Sequence, residues 1–416
     1  MELKRVVVTG LGALTPLGNT FPEFWDNLIN GVSGADAITR FDASKFKTQF
    51  ACEVKNFDPL QHFDRKEARK YDLYAQFGLV SAEEAVHDSG FDLEKLNLDT
   101  IGVIWASGIG GLSTFFEEVI SYGKGDGTPR FNPFFIPKMI ADITAGHISI
   151  RYGLRGPNFA TVSACASSAN ALADAFLYIR TGKANAFIAG GSEAAVSPAG
   201  VGGFNAMHAL STRNDDPKTA SRPFDIGRDG FVMGEGSGAL IFEELEHAKA
   251  RGAKIYAEVI GSGLSADAHH MTEPHPDGIG AYNSMKNALQ DAGITPEEID
   301  HINTHGTSTP KGDIVEPKAI INLFGEHASS ISVNSTKSMT GHLLGATGAI
   351  EAIATILAIK NSIVPPTINH FTDDPEIPVL DFTFGKAKHR TVNIALSNTF
   401  GFGGHNASLI FKKFSE

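Results

Sequence analysis

Four residues in this chain carry side chains that covalent acyl chemistry could use: Cys165, His305, Lys337 and His342. Cys165 stands among small residues in Val162-Ser163-Ala164-Cys165-Ala166-Ser167-Ser168. Asn158 to Val162 reads as a short strand, and Ala169 to Arg180 as a helix of strong formers ending at Gly182. Cys165 therefore falls on a strand-to-helix turn. The free N–H groups and dipole of a helix N-terminus stabilise a thiolate, so its pKa is expected to drop below the ~8.5 of a free thiol. Small neighbours allow a sharp turn and close approach of a substrate. A free cysteine is as readily a buried structural residue, and this stretch alone leaves both readings open. His305 lies in Thr304-His305-Gly306-Thr307-Ser308-Thr309-Pro310, and His342 closes Lys337-Ser338-Met339-Thr340-Gly341-His342. A core histidine usually has apolar neighbours, whereas polar loops at strand ends are where α/β proteins build sites. Cysteine with histidine also suits a cysteine protease. The second histidine, the lysine and the closing Gly401-Phe402-Gly403-Gly404 separate the two readings.

The elements that must position these residues are legible in outline. The chain has 416 residues, 42% hydrophobic and 20% charged, a globular composition with room for about two or three domain-sized units. Its 44 glycines are dispersed, as in a loop-rich α/β enzyme. Two cysteines, Cys52 and Cys165, make no disulfide framework, which fits a reducing, cytoplasmic setting. The segment from Met1 runs straight into a strand without a signal peptide, and no apolar run approaches the ~20 residues of a membrane span. A net charge of −12 argues against a nucleic-acid partner.

Strands are expected around 5–8, 101–106, 158–162, 186–193, 239–242, 255–260, 299–303, 331–334, 392–396 and 408–411. Helices are expected over 65–87, 137–152, 169–180, 280–290, 313–324 and 345–360, with the glycine-rich 199–208 as a loop over a site. The stretches 169–182 and 348–362 are both small-residue helices entered from a strand and loop, and helices so poor in large polar residues must be buried on most sides. This pattern predicts a duplicated α/β unit with halves 1–252 and 253–416, stacked helix-sheet-helix-sheet-helix. Thr9-Gly10-Leu11-Gly12 has a superficial dinucleotide look, but Pro16 follows and no third glycine opens a helix. Lys66, Arg69 and Lys70 fall on one helical face, either solvated or a docking patch for an acidic partner. Asp267, His269, His270 and His275 cluster in sequence, but Met271, Pro274 and Pro276 break metal-ligand spacing.

Ala164-Cys165-Ala166-Ser167, His305-Gly306-Thr307-Ser308-Thr309-Pro310, Lys337-Ser338-Met339-Thr340-Gly341-His342 and Ser397-Asn398-Thr399-Phe400-Gly401-Phe402-Gly403-Gly404 together resemble the elongating β-ketoacyl-acyl carrier protein synthases of the Cys-His-His type. The synthase II group of bacterial fatty-acid synthesis is the most similar. The resemblance spans most of the chain. It implies a thiolase-like five-layered sandwich of two duplicated halves, a homodimer, and decarboxylative condensation of an acyl chain with a malonyl carrier. Cys165 would be the acyl acceptor, with the N–H groups of Cys165 and Phe402 as oxyanion hole. His305 and His342 would stabilise the enolate left by loss of CO₂. Lys337 would organise the site, paired with Asp313 or Glu316. Thr307 and Thr309 match pantetheine contacts; Ile109, Phe204, Phe400 and Phe402 match the acyl pocket and its gate. Asn303, Glu351, Ser397 and Asn398 match a structural Na⁺ or K⁺ site, with no catalytic metal or organic cofactor. Lys66, Arg69, Lys70 and Arg130 match the face that docks acyl carrier protein.

Two positions depart from the family pattern: His405 where threonine is frequent, and His208 where an arginine often aids docking. Other readings are a ketosynthase of a polyketide or other secondary pathway, and a non-catalytic chain-length-factor-like subunit, a class that lacks the cysteine. A thiolase needs a second active-site cysteine, and Cys52 lies far from the closing loop. The initiating synthases use Cys-His-Asn and acyl-CoA.

Overall fold

The computed structural model describes residues 3–415. Ten strands build its main sheet. The first half supplies β1 (Val6–Leu14), β2 (Ile101–Ala106), β3 (Asn158–Thr161), β4 (Ala186–Glu193) and β5 (Gly236–Glu244). The second half supplies β6 (Ala257–Ala266), β7 (His301–Asn303), β8 (Ser332–Asn334), β9 (Ile394–Gly401) and β10 (His405–Lys412). Their order is β8-β7-β9-β10-β6-β1-β5-β4-β2-β3. Read outward from the centre, each half runs first, last, fourth, second, third. In each half β2 or β7 is parallel to both neighbours, and the pairs nearer the centre are antiparallel. The halves meet where β1 runs antiparallel to β6, with Val6 opposite Val259 and Val8 opposite Ala257.

The principal helices are α1 (Leu73–Ser89), α2 (Leu112–Gly123), α3 (Phe135–Met139), α4 (Ile143–Tyr152), α5 (Ser167–Arg180), α6 (Pro198–Ala206), α7 (Ile279–Ala292), α8 (Gly312–Phe324) and α9 (Thr347–Asn361). Helices α5 and α9 lie between the half-sheets: α5 packs on β4 and β2 and on β10, and α9 on β9 and on β5 and β4. Outside, α1 covers β1 and β5, while α7 covers β6 and β10. The result is the expected helix-sheet-helix-sheet-helix stack. Every residue of α9 from Thr347 to Ile359 is buried, as its composition requires. The central helices pass so close that a side chain at Gly348 would stand 2.6 Å from Ala169 N, and Ser168 Oγ accepts a hydrogen bond from Ala349 N at 3.0 Å. Gly10 and Gly12 lie inside β1, where a Cβ would strike the Ala85 and Ser81 carbonyls of α1. They serve close packing of helix on sheet.

Three local expectations are corrected. The stretch 199–208 is largely helical: Ser197 caps α6 by accepting from Gly200 N, Pro198 occupies its first turn, and Val201 and Asn205 turn inward. Glycine lowers helix propensity, but a Cβ at Gly200 would lie 2.0 Å from Ala195 O, so packing decides. The expected helix 65–87 is broken into a short helix, Arg65–Ala68, and α1, because Asp72 takes an extended conformation and caps α1. The expected helix from Pro137 splits into α3 and α4 at Ile140, whose backbone is extended.

Candidate active site

Each half contributes a turn with an unusual backbone. Ala164 has φ +51° and opens the 3-10 turn Ala164–Ala166 before α5; Leu344 has φ +49° and opens Leu344–Ala346 before α9. Non-glycine residues rarely occupy this region. Cys165 follows Ala164 and is held at the inner end of α5. The close of β9 lies against it: a Cβ at Gly401 would meet Ser163 O at 2.9 Å and Cys165 N at 3.1 Å. Only a residue without a side chain lets the next residue, Phe402, bring its N–H onto the sulfur. The backbone N–H groups of Phe402 and of Cys165 itself both favour the charged form of the thiol.

The thiol is otherwise not what the turn alone suggests. Burial pushes its pKa up to about 12, against the opposing pull of Lys337 and the two N–H groups. Desolvation of the charged form outweighs the helix terminus. The expected depression is therefore corrected for the unliganded site.

His305 and His342 come from the second half. Their rings lie 5.3 Å apart, centroid to centroid, at 85°. Glu316 places His305 by accepting hydrogen bonds from His305 N and Gly306 N, both at 2.9 Å. Asp313 holds the next part of the loop, accepting from Ser308 N and from Phe224 N. Gly234 N bonds to His342 O, and His342 Nδ1 lies 3.0 Å from Thr347 Oγ1 at the start of α9. Burial, reinforced by the Lys337 charge, holds both imidazole pKa values well below the ordinary range. Both rings are neutral at physiological pH. If Thr347 donates to His342 Nδ1, the Nε2–H of that ring is left free for a ligand.

Lys337 is fully buried and pairs with Glu351 of α9, Nζ to Oε1 at 2.6 Å. The expected partners, Asp313 and Glu316, are engaged by backbone N–H groups instead. Glu351 Oε1 also accepts from Thr336 Oγ1 at 3.0 Å. In the candidate cation set, Ser397 lies opposite Asn303 across the β7–β9 ladder, and Asn303 Oδ1 and Glu351 Oε2 are buried without a partner. The Asn398 amide is committed to Ser408 and Glu316.

Cys165, His305, His342, Phe204, Phe400, Phe402, Thr307 and Thr309 all line one cavity of about 380 Å³. The two threonine hydroxyls lie 2.9 Å apart. Phe231, which sequence reasoning did not single out, packs edge-on against both His342 and Phe204, each at 5.3 Å. Ile109 stands outside this lining and is 40% exposed. The Gly-Phe-Gly-Gly segment is tied to the loop after β6 by Gly403 N to Met271 O at 2.7 Å and Asp267 N to Gly404 O at 2.9 Å. His208 and Asp267 line the mouth, whereas His405 is exposed. Among the described residues no group of His, Cys, Asp and Glu could hold a metal ion, and His270 Nδ1 instead accepts from the N–H groups of Thr272 and Glu273. Lys66, Arg69, Lys70 and Arg130 are all exposed. The first three are not on one continuous helix, since Arg69 caps the short helix and Lys70 follows it.

A buried thiol under two N–H donors, faced by two neutral imidazoles from the other half of a duplicated fold, defines an acyl-transferring site of the condensing-enzyme class. Comparison with known families agrees: residues 3–248 match the description "Beta-ketoacyl synthase, N-terminal domain" and residues 256–371 match "Beta-ketoacyl synthase, C-terminal domain". The chain belongs to the β-ketoacyl synthase family. It is 52% identical over 415 residues to the 3-oxoacyl-[acyl-carrier-protein] synthase 2 of Synechocystis, covering 100% of this chain and 99% of that one. It is 49% identical to the protein of the same name from Coxiella burnetii, covering 99% of each chain. Among solved structures, a β-ketoacyl synthase from Burkholderia phymatum superposes with a TM-score of 0.92 at 35% identity, covering 99% of this chain and 100% of that one. A type II polyketide ketosynthase in complex with its acyl-carrier protein superposes at 0.91, with 35% identity and 100% of both chains covered.

Proposed function

We propose that this chain is a 3-oxoacyl-acyl carrier protein synthase that elongates fatty acyl chains. It condenses an acyl group held on Cys165 with malonyl-acyl carrier protein, giving 3-oxoacyl-acyl carrier protein and CO₂. The single observation that carries this reading is the cavity shared by Cys165, His305 and His342, with two N–H groups converging on the sulfur.

In the first half-reaction the Cys165 sulfur attacks the thioester carbonyl, and the proton it loses ends on the departing carrier sulfur. Negative charge gathers on the oxygen, and the N–H groups of Cys165 and Phe402 receive it; such donors are each worth about 3 kcal/mol. The carrier thiol leaves and the acyl group remains on Cys165. In the second, the malonyl C–C bond breaks and its electron pair passes into an enolate. Its oxygen accepts hydrogen bonds from His305 and His342, which stay neutral because burial and Lys337 disfavour a second positive charge. The enolate carbon then attacks the acyl carbonyl and displaces the Cys165 sulfur. Lys337 holds the local field and takes no proton. Thr307 and Thr309 offer hydroxyls to the pantetheine amides. Phe204, Phe231 and Phe400 give the chain an apolar wall, at ~0.8 kcal/mol per buried CH₂.

The partner in this reading is an acidic acyl carrier protein, docking on Lys66, Arg69, Lys70 and Arg130. A second copy of the chain completes a homodimer. Supporting this, β3 is an edge strand, Val162 beside it and Leu177 of α5 are exposed, and α2, α3 and the segment between them present Phe115, Val119, Phe131, Phe134 and Ile136; open sheet edges and clustered apolar surface call for a partner. Asn303 Oδ1 and Glu351 Oε2 are orphan hard donors suited to Na⁺ or K⁺, which would balance buried negative charge structurally. No organic cofactor enters the chemistry. No helix among the described residues is long and apolar enough to cross a membrane, and a cytoplasmic location is the setting we propose.

The test is Cys165→Gln. Removing the sulfur abolishes acyl transfer but leaves the histidines and oxyanion donors, so the variant is expected to decarboxylate malonyl carrier without condensing it. Loss of decarboxylation in a folded variant would overturn the division of labour.

A further inference from the structure

The duplication places a second, unused copy of the nucleophile turn in this molecule. In the first half, the turn opened by Ala164 is met by the end of β9, whose last residue is Gly401. In the second half, the matching turn opened by Leu344 is met by the end of β4, whose last residue is Glu193. Gly345 is thus the counterpart of Cys165, and Glu193 the counterpart of Gly401. Where Gly401 leaves room for a substrate oxygen, Glu193 fills the room with its own carboxylate.

That carboxylate is wholly buried and receives four donors. Oε2 accepts from Gly345 N at 2.9 Å and Gly108 N at 2.8 Å; Oε1 accepts from Ser107 Oγ at 2.9 Å and Ile109 N at 3.2 Å. Among the described residues no basic side chain pairs with it; burial raises its pKa, opposed by these backbone and hydroxyl donors. The two loops it grips flank the active site. One carries Ile109. One follows His342 by two residues and includes Leu344, a cavity residue. The first of these loops also abuts the nucleophile turn: a Cβ on Gly108 would lie 3.3 Å from both Ala164 O and Gly345 N.

We propose that Glu193 is the positioning residue that registers the two half-sites. It is an internal carboxyl group locked into the second half's oxyanion-type turn, and it fixes the His342 loop and the Ile109 loop relative to Cys165. The inference rests on the condensing activity proposed above.

The experiment measures condensation by purified full-length wild type, Glu193→Gln and Glu193→Ala, across acyl carriers of graded chain length. Glu193→Gln keeps the shape but turns an amide onto two of the four donors. It is expected to lower kcat by roughly 10²-fold, the scale of a misplacement of about 1 Å, and to shift chain-length preference, with KM for the carrier protein within about twofold. Glu193→Ala vacates the anion position, so added formate should restore kcat saturably, whereas it should not rescue Glu193→Gln. If Glu193→Ala does not fold, the Glu193→Gln kinetics decide alone. Wild-type kcat and chain-length profile in Glu193→Gln, or a folded Glu193→Ala indifferent to formate, would overturn the proposal. An inactive wild type would instead overturn the condensing reading.

Discussion

The Lys337–Glu351 pair carries a quantitative prediction. Both side chains are buried, with Nζ and Oε1 2.6 Å apart. At an effective dielectric of about 20 their gross attraction is roughly 6 kcal/mol, opposed by a desolvation penalty of several kcal/mol per ion. The pair as a whole therefore contributes little. Removing one partner leaves an uncompensated buried charge, at a cost of about 3–5 kcal/mol. Lys337→Met and Glu351→Leu should each lower the urea midpoint by that equivalent at unchanged m. The double variant, which buries two apolar side chains, should recover most of the loss, giving a coupling energy of about 3 kcal/mol or more. The double variant should remain folded yet condense poorly, because the positive field beside Cys165, His305 and His342 is gone while burial still keeps the two rings neutral. Additive single costs, or single costs below about 1 kcal/mol, would refute the burial argument and the field assigned to Lys337 with it.

With burial pushing the thiol pKa up to about 12, little thiolate is present in the unliganded site near neutral pH. Raising the pH is what forms the thiolate, so alkylation of Cys165 by iodoacetamide should climb about tenfold per unit up to at least pH 10; a plateau near pH 8 would contradict it. Gly348→Leu should destabilise the protein by at least about 1–3 kcal/mol through overpacking, measured by denaturant unfolding, because its side chain would enter the backbone of Ala169. An unaffected midpoint would mean that the central helices are not in contact.

How far the sequence reveals this molecule depends on range. The two central helices announce themselves through small residues, since a helix buried between sheets cannot carry large polar groups. The chemical loops are legible because their polar residues are out of place at strand ends. Glycine misleads where packing overrides propensity: α6 holds three glycines in its nine residues, Gly200, Gly202 and Gly203, and reads as a loop until Ala195 O is found where a Cβ would go. The break before α1 hinges on one capping aspartate, Asp72, at the end of a charge-rich segment. The Lys337 partner could not be read because the choice among Asp313, Glu316 and Glu351 is settled by which backbone N–H groups claim the other two. The thiol pKa depends on burial, which no local pattern reports; the helix terminus is visible in sequence and the desolvation that defeats it is not.

The central claim is that one sulfur carries the acyl chain between the two halves of the reaction. The direct measurement is intact-protein and peptide mass spectrometry after incubation with an acyl carrier thioester and no malonyl carrier. The account predicts a mass increase equal to the acyl group, localised to the peptide containing Cys165, absent in Cys165→Ala and discharged when malonyl carrier is added. Acylation elsewhere with Cys165 unmodified, or turnover retained in Cys165→Ala, would contradict it.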